Sequence, residues 1–293
     1  MQGMVDGFGY GAVTPLVAYL MACFGGALGL RCITRSLLVT HSRRPAWLAL
    51  GAAALGCGTW TMHFVAMMGF SIVRTPVHYD EPVTYASLGL AVVMVGIGVF
   101  IVGYGGATGA PLFTGGTITG LGVASMHYLG MAGMRFHGRF AYSTPTVVVS
   151  VAIAVVAATA ALWAAGRARG LLPTVGASLL MGVAVSGMHY TAMAALSVHL
   201  DGAAETTADA PDASALVPML LGPLVLLVLA GVVVILDPML VLRHPDRAPA
   251  LPAPGVPAAA LIPRTGHRPA APHQHHRSNR RPVRQGARTP QNR

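Results

Sequence analysis

The stretch MHFVAM at residues 62–67 recurs twice, as MHYLGM at 126–131 and as MHYTAM at 188–193. Each copy reads Met-His-aromatic-x-x-Met and lies near the end of a long apolar run. Histidine is costly inside a lipid bilayer, and an intramembrane histidine usually has a functional partner. Three histidines at equivalent places in three apolar runs therefore indicate one site that is built from three repeats.

The composition around these copies is that of a polytopic membrane protein. The 293 residues are 54% hydrophobic and only 10% charged, whereas soluble domains carry about 25% charged residues. A span needs about 20 mostly apolar residues. Seven runs qualify, and the sequence therefore predicts an all-α membrane bundle of about seven transmembrane helices, built from three helix-pair repeats plus one. The runs are 11–30, 45–70, 83–104, 111–134, 144–166, 173–198 and 215–242.

The spacing of the three copies predicts how they meet. His63, His127 and His189 are 64 and 62 residues apart, an interval that holds one helix with the pattern and one plain helix. Helices 2, 4 and 6 then all run from inside to outside, so the three histidines lie at one depth. That depth is about seven to nine residues, or roughly 10–14 Å along the helix, before the outer end.

The distribution of arginine predicts the orientation and the domain boundaries. The loops after helices 1, 3 and 5 hold six arginines, the loops after helices 2, 4 and 6 hold three, and ten more follow Leu242. Arginine favours the cytoplasmic side, which places the N-terminus outside and the C-terminus in the cytoplasm of a multi-pass cell-membrane protein. We expect a six-helix membrane domain at 12–200, an outer loop and seventh helix at 201–242, and a disordered Arg/Pro/His-rich cytoplasmic tail at 243–293. The basic charge belongs to this tail, which suits membrane lipid as a partner and does not indicate a nucleic-acid-binding fold.

The residue types of the pattern are those of a copper site. Residues i and i+4 share one helix face, so each histidine pairs with the second methionine of its copy. Thioether sulfur is a soft ligand that selects Cu(I), and imidazole suits copper in both oxidation states. No carboxylate lies near the copies in sequence, which argues against a hard cation or a di-iron centre. The candidate metal ligands are His63, Met67, His127, Met131, His189 and Met193, with Met62, Met126 and Met188.

Residues 12–200 resemble the MHYT domain, a bacterial integral-membrane sensor module. The third copy, Met188-His189-Tyr190-Thr191, contains the Met-His-Tyr-Thr sequence after which the family is named. The resemblance implies a copper site near the outer face and the sensing of a diatomic gas (O₂, CO or NO) or of redox state. Many family members join this module to a cyclic-di-GMP synthesis or hydrolysis domain or to a DNA-binding output. Because the residues after helix 7 are few and polar, we expect a stand-alone sensor that acts through a cytoplasmic or membrane signalling partner.

Two other functions remain open on the sequence. The chain could be a copper-handling membrane protein, either a transporter or a metal-binding protein, or a structural membrane protein whose histidines only join helices. A transporter needs polar residues at the midplane and in the inner half of its spans, and helices 2, 4 and 6 show few there. No Gly-rich phosphate loop, Ser/His/Asp arrangement or paired carboxylates appear, so we expect no enzymatic activity. The outer-loop histidines His78, His137 and His199 are interpreted as interfacial, with a path for metal as the alternative.

Overall fold

The computed structural model describes residues 5–6, 11–72, 77–167, 170–200 and 216–237. Within them the chain forms seven α-helices of 20 to 25 residues, so the all-α prediction is confirmed. The predictions of an outer loop at 201–215 and of a disordered tail at 243–293 concern residues outside the described ranges. The helices are α1 (Val13–Ser36), α2 (Arg44–Met68), α3 (Glu81–Gly105), α4 (Gly109–Ala132), α5 (Thr144–Arg167), α6 (Leu171–Ala194) and α7 (Leu216–Ile235).

Six of these helices are long and apolar enough to cross a membrane, which makes the chain a multi-pass membrane protein. The helix outside that set is α4, which has the same 24-residue length as α1 but is rich in glycine and threonine. It packs between α3 and α5 within the bundle. The sequence also predicts α4 as a membrane span, and for this helix the assignment depends on its length and on its packing between α3 and α5.

Helices α1 to α6 form a closed ring in chain order, because each packs against the next and α6 packs back against α1. Helix α7 lies outside the ring, against α2 and α1. The three helices that carry the Met-His pattern, α2, α4 and α6, therefore alternate with the plain helices around the ring. This alternation brings the three copies of the pattern towards one central axis.

Two glycines bring the backbones of α1 and α2 into close contact. A Cβ atom added to Gly25 would lie 2.5 Å from the Cα of Gly58, and one added to Gly58 would lie 2.6 Å from the Cα of Gly25. In lipid no hydrophobic force drives one helix against another, so close backbone packing of this kind supplies much of the contact energy.

Three short strand pairs, which the sequence analysis did not predict, lie at the ends of the pattern helices. Each pair is antiparallel and joins the strand before a plain helix to the strand after the pattern helix of the same repeat. The repeat unit is therefore β-α-α-β, and it occurs three times. The pairs are β1 (Val5–Asp6) with β2 (Ser71–Ile72), β3 (His78–Tyr79) with β4 (Met134–Arg135), and β5 (Gly138–Tyr142) with β6 (Leu196–Leu200).

These strands correct the predicted depth of the histidines. The apolar runs 111–134 and 173–198 include the first residues of β4 and β6, so the helices themselves end earlier, at Ala132 and Ala194. Each pattern helix ends five residues after its histidine, which is about 7.5 Å along the helix axis. The predicted equality of depth holds, but the site lies nearer the helix ends than the apolar runs indicated.

The second repeat is also closed by an ion pair. The guanidinium of Arg135, on β4, donates to the carboxylate of Asp80 at 2.9 Å. The same carboxylate caps α3 by accepting from the backbone N–H of Val83 at 3.2 Å. The Arg135 hydrogen bond holds the pKa of the Asp80 carboxyl below its usual value, so this carboxylate stays charged and keeps the start of α3 joined to the strand that follows α4.

Candidate metal centre

The structure brings the three pattern histidines together on the axis of the ring. The Nδ1 atoms of His63 and His189 lie 3.1 Å apart, those of His127 and His63 lie 3.1 Å apart, and those of His189 and His127 lie 3.2 Å apart. The three imidazoles are 1%, 1% and 2% exposed. They form a nearly equilateral triangle of nitrogen atoms, here called the histidine triangle, with one corner from each repeat.

Three nitrogens in this arrangement cannot satisfy one another. A neutral imidazole nitrogen either carries a proton or offers a lone pair, and it does not do both. One shared proton can bridge one side of the triangle, which leaves the third nitrogen facing another lone pair. The Nε2 atoms of His63 and His127 are also buried, and neither has a hydrogen-bond partner among the described residues. Buried polar atoms left without partners are costly, so the three histidines have the chemistry of a ligand set for a positively charged ion.

A metal ion fits the triangle by size. The point equidistant from the three Nδ1 atoms lies about 1.8 Å from each of them, close to the ~2.0 Å that imidazole nitrogen adopts on a first-row metal. The Nδ1 atoms, which face the axis, are therefore the nitrogens that can hold it.

The aromatic residue of each copy stands beside its own histidine. The ring centroids of His63 and Phe64 are 4.6 Å apart at an interplanar angle of 77°. The corresponding pairs in the other two copies are each 5.0 Å apart, at 80° and 78°. These edge-on contacts restrict rotation of the imidazoles. In the second copy the Tyr128 hydroxyl lies 2.7 Å from the Ser150 hydroxyl on α5, which anchors that ring to the neighbouring helix.

The six methionines of the pattern divide into two sets. Met67, Met131 and Met193 follow their histidines by one helical turn and belong to one apolar cluster with residues of the strand pairs and the loops beside them. The first methionines of the copies lie in the main core of the bundle, and all are buried: Met62, Met126 and Met188. The thioethers of Met67, Met131 and Met193 thus lie about 6 Å further along the axis than the histidines, towards the strand pairs. Those of Met62, Met126 and Met188 pack between the helices.

Gly130 is a site residue that the sequence analysis missed. A Cβ atom at this position would lie 2.8 Å from Nε2 of His63 and 3.2 Å from the Phe64 ring. The signal in the sequence is that the second copy has glycine where the first and third copies have Ala66 and Ala192. The missing methyl group makes room on α4 for the imidazole of α2.

Substitution of Gly130 by alanine should displace the His63 imidazole and distort the triangle. We expect Gly130→Ala to weaken metal binding about tenfold, a loss typical of a disturbed supporting group, while the bundle stays folded. Metal titration of the purified variant measures the change. The matched control is Gly187→Ala on α6, where an added Cβ meets nothing within 4 Å. Equal affinity in both variants would contradict this role for Gly130.

The outer-loop histidines do not join the triangle. His78 pairs with Arg135 across β3 and β4, and His199 pairs with Arg139 across β5 and β6. His137 is exposed in the loop between β4 and β5. Within the described part of the chain, the one group of three or more His, Cys, Asp or Glu side chains placed so that they could hold a metal ion is His63, His127 and His189, whose ligand atoms all lie within 4.8 Å of one another.

Comparison with known proteins identifies two of the three repeats. Residues 56–115 and 120–178 match the MHYT family, described as a bacterial signalling protein N-terminal repeat. These segments contain the first two copies of the pattern, and the third copy follows the second segment. No solved structure matches the chain.

Three curated relatives are similar over the membrane region. The bifunctional diguanylate cyclase/cyclic di-GMP phosphodiesterase MucR of Pseudomonas aeruginosa is 37% identical over 64% of this chain and 28% of its own length. The cyclic di-GMP phosphodiesterase NbdA of the same organism is 34% identical over 67% of this chain and 26% of its own length. The signaling protein YkoW of Bacillus subtilis is 29% identical over 66% of this chain and 25% of its own length.

The helices and the matches together define a multi-pass membrane protein of bacterial signalling type. The chain carries two MHYT repeats, at 56–115 and 120–178. It spans about a quarter of the length of the curated relatives that it matches. The enzymatic activities in the relatives' names are those of the whole relatives.

Proposed function

We propose that this chain is a membrane sensor in which the Nδ1 atoms of His63, His127 and His189 hold a copper ion near the outer face, with the thioethers of Met67, Met131 and Met193 on its outer side. Bound copper supplies a change of oxidation state and an affinity for O₂, CO or NO. The signal is then a diatomic gas or the redox state outside the cytoplasm. The observation that carries this proposal is the histidine triangle with its mutual Nδ1 separations of 3.1–3.2 Å.

The donor set supports copper over other metals. Imidazole nitrogen alone suits zinc, copper, iron and nickel, whereas nearby thioethers favour Cu(I). No carboxylate joins the histidines in the group of ligating side chains among the described residues. A site of three imidazoles beside three methionines therefore selects a soft, monovalent ion.

The surroundings favour a resident ion over a transported one. The space immediately inward of the triangle is lined by apolar side chains and two threonines. Its two thioethers, of Met181 and Met188, both come from α6, and the lining offers no second set of ligands from several helices along the axis. A transported ion would need such ligands at successive depths. The arrangement suits an ion that stays in place and reports its state.

A contact at the opposite end of the bundle gives the signal a route towards the rest of the chain. Arg35, at the end of α1, donates to the buried carboxylate of Asp237 at 2.8 Å. The same guanidinium lies 5.8 Å from the centre of the Trp47 ring on α2. Helices α1 and α2 are thus joined to Asp237, two residues after the end of α7, so repacking within the ring would move this residue. A cytoplasmic or membrane signalling partner would read that change.

Copper should co-purify with the folded protein, and Met131→Leu should weaken its binding about tenfold. Leucine keeps the volume of methionine but removes the thioether, so packing changes little. The measurement is copper per folded monomer, together with a titration by a Cu(I) chelator. Met219→Leu on α7 is the matched control, since Met219 is equally buried and lies outside the pattern. Absence of copper from protein purified from copper-supplied cells would overturn the proposal.

The proposed site requires the ends of α2, α4 and α6 that follow the histidines to face outward. Reporter fusions at Asp212 and after Leu242 should therefore give opposite readings, with Asp212 external. The physical reason is the concentration of arginine on the side of the C-terminal tail. The same reading at both positions would refute the seven-span topology.

A further inference from the structure

A cavity of about 40 Å³ lies inside the ring of six helices. All six ring helices contribute to its walls, from Leu30 on α1 to Val185 on α6. The cavity is therefore central to the bundle and belongs to no single helix pair.

Its position relative to the histidine triangle follows from helical spacing. Each pattern helix supplies the residue four positions before its histidine and the residue eight positions before it. These six lining residues are Thr59, Val123 and Val185 in the first layer and Leu55, Thr119 and Met181 in the second. Residues at such spacing share the face of the histidine, about 6 and 12 Å further inward. The cavity thus lies directly inward of the triangle on the same axis.

Small side chains on α5 leave this space open. Four alanines of α5, at 154, 157, 158 and 161, line the cavity. The larger side chains that would fill a membrane core are absent from this part of its wall. The remaining α5 contribution is Leu162, which is 2% exposed.

The lining cannot hold a water molecule well. Its polar side-chain atoms are the two threonine hydroxyls, and that of Thr59 already lies 3.0 Å from the backbone oxygens of Leu55 and Gly56 on its own helix. The hydroxyl of Thr119 is buried without a partner among the described residues. A buried water typically needs about three hydrogen bonds, and apolar cavities without them stay dry and take up small apolar solutes or xenon.

We propose that this cavity is a binding chamber for one small apolar molecule of diatomic size, held directly inward of the histidine triangle. Its volume exceeds the ~10–15 Å³ that a single water-sized probe requires. Apolar gases dissolve in the lipid around the bundle, so the chamber would raise their local concentration beside the triangle. The link from the chamber to sensing rests on the proposed function, whereas the binding itself does not.

The test uses xenon as the probe and metal-free protein, so that it does not depend on copper. Crystals of the purified full chain under xenon pressure should show one anomalous peak between the layers of Val123 and Thr119. Ala158→Leu places a larger side chain in the chamber and should remove the peak. Ala160→Leu is the control on the same helix, because Ala160 is exposed away from the bundle, and its peak should equal that of the natural protein.

If Ala158→Leu does not fold, Ala161→Val adds a smaller volume to the same wall of the cavity and should lower the xenon occupancy by at least half. No peak in the natural protein, an ordered water in its place, or a full peak in both filled variants would overturn the chamber. Each of these results leaves the copper proposal standing, because copper content is measured on other variants. Loss of copper binding in turn leaves the xenon result unchanged.

Discussion

Alanine at any one of the three histidines should abolish most copper binding, and the triple variant should be little worse than the worst single variant. Each of His63→Ala, His127→Ala and His189→Ala removes one corner of a triangle whose sides are 3.1–3.2 Å. Groups that support a ligand are worth 10–100-fold in affinity, so removal of a ligand itself should cost at least about 100-fold. Residues that share one ion are strongly non-additive. The measurement is copper per folded monomer across the series.

The metal-free variants should remain folded, because each change also removes a nitrogen that faces two others. Melting of the metal-free proteins in detergent checks this point. His78→Ala is the control, since His78 is exposed on β3 outside the triangle. Small losses that add across the three single variants would show that the histidines serve packing and do not share an ion.

Alanine at Gly58 should separate α1 from α2 and destabilise the bundle by about 3 kcal/mol or more, at the upper end of what overpacking costs. The added Cβ would meet the backbone of Gly25 at 2.6 Å. A backbone atom cannot rotate away as a side chain can, so the helices themselves must move apart. Because Ala54 and Leu55 pack on the same face of α2, their contacts should weaken together. The fraction folded during denaturant titration measures the loss.

Gly89→Ala on α3 is the matched control for that substitution. An added Cβ there meets nothing within 4 Å, and alanine is favoured over glycine in a helix by about 0.5–1 kcal/mol. The two substitutions should therefore act in opposite directions or, at the least, differ by several kcal/mol. A similar effect of both would mean that the contact of Gly25 with Gly58 is not what holds α1 to α2.

The helices and the meeting of the histidines could be predicted from the sequence, because both follow from periodicity. Apolar runs of about 20 residues define spans, and a repeat of two helices places three histidines at one depth on one side. The strands could not be predicted from hydropathy, since β4 and β6 continue the apolar runs of α4 and α6 without a break. Alternation of Leu196, Val198 and Leu200 with polar neighbours was a signal for β6.

The details of the site depend on three-dimensional packing and not on pattern. Sequence cannot choose between Nδ1 and Nε2, because that choice depends on how each ring is turned by Phe64 and its counterparts. The spacing of i and i+4 predicted that Met67, Met131 and Met193 share a helix face with their histidines, and the structure groups these methionines in one apolar cluster. It did not show that the first methionines lie in the core, nor that Gly130 makes room for a ring from another helix. The role of all nine residues in binding copper stays a prediction.

The β-α-α-β repeat has a consequence for what a part of this protein could do. Each repeat begins and ends on the same side, and its two strands pair with each other, so a cut between repeats would break no strand pair. A fragment of one repeat would be a complete structural unit, yet it would carry one imidazole of the three. Ion binding would return only when three such fragments assembled side by side as a trimer. The site is thus quaternary in character although it is built from a single chain.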